Sequence, residues 1–123
     1  MPLVRIDIAK SHPAGFGRAV GEIVYRAMLS EINVPADDKF QIISRHEADE
    51  IIMPASYLGI EYSLGIVFIQ ITLNQGRTTE LKQKFYKRIA EDLSAELGVR
   101  KQDVFISLTE VNKENWSFGN EIG

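Results

Sequence analysis

The 123-residue sequence contains no cysteine. That excludes disulfides, thiolate metal sites and cysteine nucleophiles. Histidine is scarce as well: only His12 and His46 are present, too few for an imidazole-built metal centre, and no metal or cofactor is expected. His12, in a loop between a strand and a helix, and His46, on a polar stretch, both read as solvated. No apolar run approaches the roughly 18 residues that would cross a bilayer, and no basic-plus-apolar leader opens the chain. The expectation is a cytoplasmic protein with no membrane association. An excess of basic charge is also lacking. Lys and Arg number 14 against 17 Asp and Glu, a net charge of −3, and no basic stripe alternates with aromatics, so nucleic acid is not an expected partner. What is present is a globular balance of 45% apolar and 25% charged residues. That suits a single domain over residues 1–123, large enough for a core and too short for two.

Hydrophobic periodicity along the chain alternates strand, helix, strand, and then does so again. The first set is a strand over Leu3–Ile8, a helix over Gly15–Ile32 and a strand over Phe40–Ser44. The second is an apolar strand over Gly65–Leu73, a helix over Thr78–Leu97 and a strand over Val104–Leu108. Thr78 and Thr79 are candidate N-caps, and Gly98 stands where a C-terminal cap belongs. The two sets align without a gap at a shift of 65, pairing Ile6 with Ile71, Phe16 with Leu81, Val24 with Ile89, Asp38 with Asp103 and Phe40 with Phe105. An internal repeat over approximately 1–45 and 66–110 follows. Each set is a β-α-β unit with parallel strands and a right-handed crossover. The expected fold is α+β in two layers: a four-stranded sheet with two helices on one face. Val67, Ile69, Ile71 and Leu73 then face one way, and Ile66, Phe68 and Gln70 the other. The second sheet face is left partly apolar and uncovered, which points to self-association.

The chain opens with Met1-Pro2-Leu3. A proline at the start of a strand is structurally harmless, because its missing N–H costs no ladder bond there. It also has a chemical reading once Met1 is removed, since Pro2 then carries a free secondary amine. Retention of Met1 makes that nitrogen an amide and ends the chemistry. Pro2, the repeated β-α-β units, "VPADD" (Val34 to Asp38), "GRTTELKQKFYKRI" (Gly76 to Ile89) and "NWSFG" (Asn115 to Gly119) together resemble the tautomerase superfamily. Within it, the chain is most similar to the malonate semialdehyde decarboxylase branch. The resemblance spans nearly the whole chain.

That resemblance implies a homotrimer with its sheets packed inside, and Pro2 as the catalytic acid or base. An unperturbed α-amino group titrates near about 7.7–8.0. Apolar burial and a nearby cation lower that value toward working pH, where proton transfer is most effective. Arg77, between the apolar strand and the second helix, is the candidate clamp for a substrate carboxylate; its plain alternative is a solvated loop arginine. Asp38 matches the branch's acidic residue and either activates water or orients the proline nitrogen. Its alternative is a polar turn, repeated in the other half at Asp103. The branch often carries two arginines near Arg77, whereas this chain has Gln75 at the first position, a hydrogen-bond donor without charge. Trp116 and Phe118 read as apolar walls of the substrate pocket or as packing at the trimer interface. The expected reaction is keto–enol isomerisation of a small 2-oxo acid. Decarboxylation of malonate semialdehyde is the enzymatic alternative, and a non-catalytic trimeric interaction protein is the alternative of another class.

Overall fold

The computed structural model describes residues 2–119 and 121. Two helices pack on one face of a four-stranded sheet built from β1 (Leu3–Ala9), β2 (Phe40–His46), β5 (Val67–Asn74) and β6 (Val104–Val111), in the order β2-β1-β5-β6. A separate two-stranded ribbon, β3 (Ser56–Tyr57) and β4 (Ile60–Glu61), lies in the connection between the halves. β1 runs parallel to β2 from the pair Leu3–Phe40 to Ala9–His46. β5 runs parallel to β6 from Val67–Val104 to Asn74–Val111. At the centre β1 and β5 are antiparallel, with Leu3 opposite Thr72. Two β-α-β units thus meet head to tail.

Alternation decides the layers. Val4, Ile6 and Ile8 of β1, with Val67, Ile69, Ile71 and Leu73 of β5, are buried against the helices. α1 (Phe16–Glu31) contributes Val20, Ile23, Val24, Ala27 and Met28, and α2 (Thr79–Leu97) contributes Phe85, Ile89 and Leu93. These spacings of three and four form one helical face each. α1 lies unusually close to β2 because Gly17 and Gly21 face it. A Cβ on Gly17 would sit 2.5 Å from Ile43 Cγ2, and the Gly21 carbonyl accepts a 2.8 Å bond from Gln41 Nε2.

Both helices end alike. After α1, Asn33 adopts a left-handed φ of 57° and Val34 N donates back to Met28 O. After α2, Gly98 does so at φ 68° and Val99 N donates to Leu93 O. In each, a left-handed residue turns the chain so that the next N–H bonds back onto a carbonyl in the last turns of the helix. At its start α2 is capped by the Thr78 hydroxyl, which accepts from Leu81 N at 3.2 Å.

The other sheet face is open. Phe40 and Ile42 of β2 and Phe105 of β6 are 51%, 44% and 43% exposed, and the Phe68 and Phe105 rings lie 5.2 Å apart on it. Three expectations need correction. Ile66, expected on the uncovered face, lies just before β5 and is buried rather than exposed. His12 is half-buried, stacked on Phe16 at 3.9 Å, with Nε2 3.2 Å from Gly65 O. His46 ends β2 with Nε2 2.7 Å from Asp7 Oδ1. Neither histidine is merely solvated.

Asp103, only 2% exposed, accepts bonds from Ser63 N (2.8 Å) and Ser63 Oγ (2.5 Å). It fastens the turn before β5 to the short 3₁₀ turn before β6.

Candidate active site

Sheet topology brings the segments that carry the expected residues to one end of the sheet. β1 and β2 start, and β5 and β6 finish, at the same end of the sheet. Four stretches therefore converge there: Pro2 before β1, the α1–β2 loop with Asp38, the β5–α2 loop with Gln75 and Arg77, and the segment after β6 with Trp116 and Phe118.

Pro2 is buried, one residue beyond the Leu3–Thr72 pair. Met1, on whose removal the amine depends, lies outside the described residues. Across β1 from β5, the α1–β2 loop folds into a turn in which Asp38 N donates to Pro35 O at 3.2 Å. Asp37 holds a left-handed φ of 68° while its N–H donates to the Tyr25 hydroxyl at 3.0 Å. The Asp38 side chain is half-buried and its Oδ1 is withdrawn from solvent.

Arg77 is half-buried and partly committed. Its Nε donates to Ile32 O at 3.0 Å and its Nη1 to Asn74 O at 3.2 Å. A guanidinium has five N–H donors. Two are engaged here, so the group is fixed in orientation while donors remain for an anion. Gly76, at φ +128°, supplies the backbone conformation that turns the chain from β5 to Arg77. α2 begins two residues later, so its N-terminal dipole adds positive potential to that of the guanidinium.

Gln75 is also present at this end, with one donor of its side-chain amide engaged. Its backbone N–H extends the β5–β6 ladder to Val111 O (2.9 Å), and its Nε2 donates to Asn112 Oδ1 at 2.7 Å. It acts as a latch on the segment after β6. Trp116 donates its indole N–H to Asn74 Oδ1 at 2.8 Å, and Phe118 stacks on it with ring centroids 5.6 Å apart. Trp116 is half-buried and Phe118 is 48% exposed. Asn74 and Asn112 were not expected from the sequence; each lies next to a candidate motif, but their bonds join residues far apart in the chain. Among the described residues, no group of His, Asp and Glu side chains could hold a metal ion.

Residues 38–119 match the sequence family described as "Tautomerase enzyme". This chain belongs to the tautomerase family. It is 41% identical, over 98% of its own length and 94% of the other's, to "Probable tautomerase YusQ" of Bacillus subtilis (strain 168). Among solved structures, FG41 malonate semialdehyde decarboxylase inhibited by 3-bromopropiolate is similar at 38% identity and a TM-score of 0.87. That match covers 95% of this chain and 88% of the decarboxylase. A fused 4-OT that forms a symmetric trimer shares the fold at 23% identity and a TM-score of 0.79, covering 98% of this chain and 94% of that one. Among the described residues no helix is long and apolar enough to cross a membrane.

Proposed function

We propose that this tautomerase interconverts the keto and enol forms of small 2-oxo acids, with the amine of Pro2 as the acid and base. Met1 is removed, leaving a secondary amine in a buried setting that disfavours its ammonium form. The nitrogen takes a proton from the carbon next to the carbonyl and returns it to the carbonyl oxygen. Arg77 holds the carboxylate and stabilises the negative charge that develops between the two transfers. Trp116 and Phe118 keep the reacting atoms away from bulk water. The observation that carries this reading is the convergence of buried Pro2, half-committed Arg77 and the Trp116–Phe118 stack at one sheet end. The open sheet face, with Phe40, Ile42 and Phe105, is read as the interface of a homotrimer, the assembly named for the fused 4-OT neighbour.

The experiment is direct. Intact-mass measurement should give the chain without methionine, and the purified protein should convert the enol of phenylpyruvate to the ketone. Pro2→Ala should lose about 10²-fold or more of that rate, the usual contribution of general acid–base catalysis, while the assembly persists. A chain that keeps Met1 and isomerises no 2-oxo acid would instead be the non-catalytic interaction protein.

The 38% identity to a malonate semialdehyde decarboxylase supports a second reading. There Asp38 would assist loss of carbon dioxide from malonate semialdehyde. Gln75 weighs against an efficient version, because it carries no charge and one donor of its amide is already bound to Asn112.

A further inference from the structure

Asn74 is the residue through which the two walls of the site are joined. Its main-chain oxygen accepts from Arg77 Nη1 at 3.2 Å, and its side-chain oxygen accepts from Trp116 Nε1 at 2.8 Å. An indole N–H only donates, so the amide orientation is settled: the carbonyl end of the side chain must face Trp116. Asn74 ends β5 with its side chain on the same face as Thr72, away from buried Leu73 and the helices. Trp116 therefore docks from the open-face side of the sheet end, whereas Arg77 reaches Ile32 on the helix side. The neighbouring Gln75–Asn112 bond draws the same C-terminal segment inward. The Phe118 ring, itself 48% exposed, stacks on the indole from the same segment.

We infer that Asn74 is a positioning residue: its side-chain carbonyl holds Trp116 in place as the pocket wall, and so sets how tightly the apolar part of a substrate is held. The kinetic consequence rests on the isomerase reading; the placement of Trp116 does not. Because Asn74 holds Arg77 through the main chain, replacing its side chain leaves the carboxylate clamp intact.

Trp116 is the only tryptophan, so tryptophan emission reports on the surroundings of this one side chain. Asn74→Leu keeps the side-chain size and removes the acceptor. Its emission should move to longer wavelength and its quenching by acrylamide should rise, with cooperative thermal unfolding retained. KM for phenylpyruvate should rise about five-fold, as expected for one lost hydrogen bond, with kcat within about two-fold of the parent. Asn74→Asp retains an acceptor and should restore the parental emission; it is read by emission only, since its charge would repel an anionic substrate. Trp116→Phe should raise KM similarly, and adding Asn74→Leu to it should cost nothing more. Should Asn74→Leu not fold, Asn74→Ala is judged by the same readings. Unchanged emission and quenching in a folded Asn74→Leu protein overturns the inference, as does full additivity with Trp116→Phe. Changed emission in a protein whose parent isomerises no 2-oxo acid leaves the placement standing and removes the isomerase reading instead.

Discussion

Arg77 spends two of its N–H groups on its own chain, and that expenditure suits it to the proposed role of a clamp rather than a loose cation. Bonds to Ile32 O and Asn74 O fix the guanidinium plane, so less freedom is lost when a carboxylate binds. Arg77→Ala should raise KM for a carboxylate substrate by about ten-fold or more, consistent with a lost charge-assisted pair, and barely affect its methyl ester. Equal losses on acid and ester would contradict the clamp. Arg77→Lys should recover little, because a lysine cannot hold both carbonyls and still present donors outward. For Asp38, the two readings separate on product analysis. If carbon dioxide is released from malonate semialdehyde, Asp38→Asn should abolish that release while sparing phenylpyruvate isomerisation; equal sparing of both leaves Asp38 a turn residue.

At the scale of elements, the close approach of α1 to β2 is the feature most exposed to substitution. Gly17→Ala would place a methyl 2.5 Å from Ile43 Cγ2 and 3.3 Å from Ile8 Cδ1, and overpacking of this kind costs about 1–3 kcal/mol. Thermal unfolding should show it as a lowered midpoint. Thr78→Ala, which removes the cap on Leu81 N, should cost about 1 kcal/mol. Much at this scale was legible in the sequence. The alternation Val67, Ile69, Ile71, Leu73 and the stripe Phe85, Ile89, Leu93 each bury one face and so carry a period. Gly98, held at φ 68°, marks a helix end by the freedom it needs there. The β3–β4 ribbon was not legible: its strands are two residues each, too short to show alternation, and its turn places Leu58, rather than Asn or Asp, at φ 53° before Gly59. The candidate site was legible as a set of residues, since Pro2, Asp38, Arg77 and Trp116 stand in recognisable motifs. Their wiring was not, because the Gln75–Asn112 and Asn74–Trp116 bonds depend on β5 and β6 being neighbours in register.

For the whole molecule, the unequal faces of the sheet are the feature with the largest consequence. One is sealed by both helices; the other presents Phe40, Ile42 and Phe105 among Arg5, Gln70 and Ser107. A parallel pair such as β1–β2 is ordinarily buried on both sides, and the trimer proposed above would supply the second cover. Ile42→Glu should then reduce the mass in solution from three chains to one, measured by light scattering, while the circular dichroism of the folded unit persists. A variant that remains trimeric would place the interface elsewhere.

The antiparallel meeting of β1 and β5 also fixes an order of events during synthesis. Pro2 is made long before the rest of the site, yet its strand has no central neighbour until Thr72 has been made, and Trp116 follows later still. On the proposed reading, a nascent chain interrupted before Trp116 would carry the nitrogen without the wall that is to enclose it.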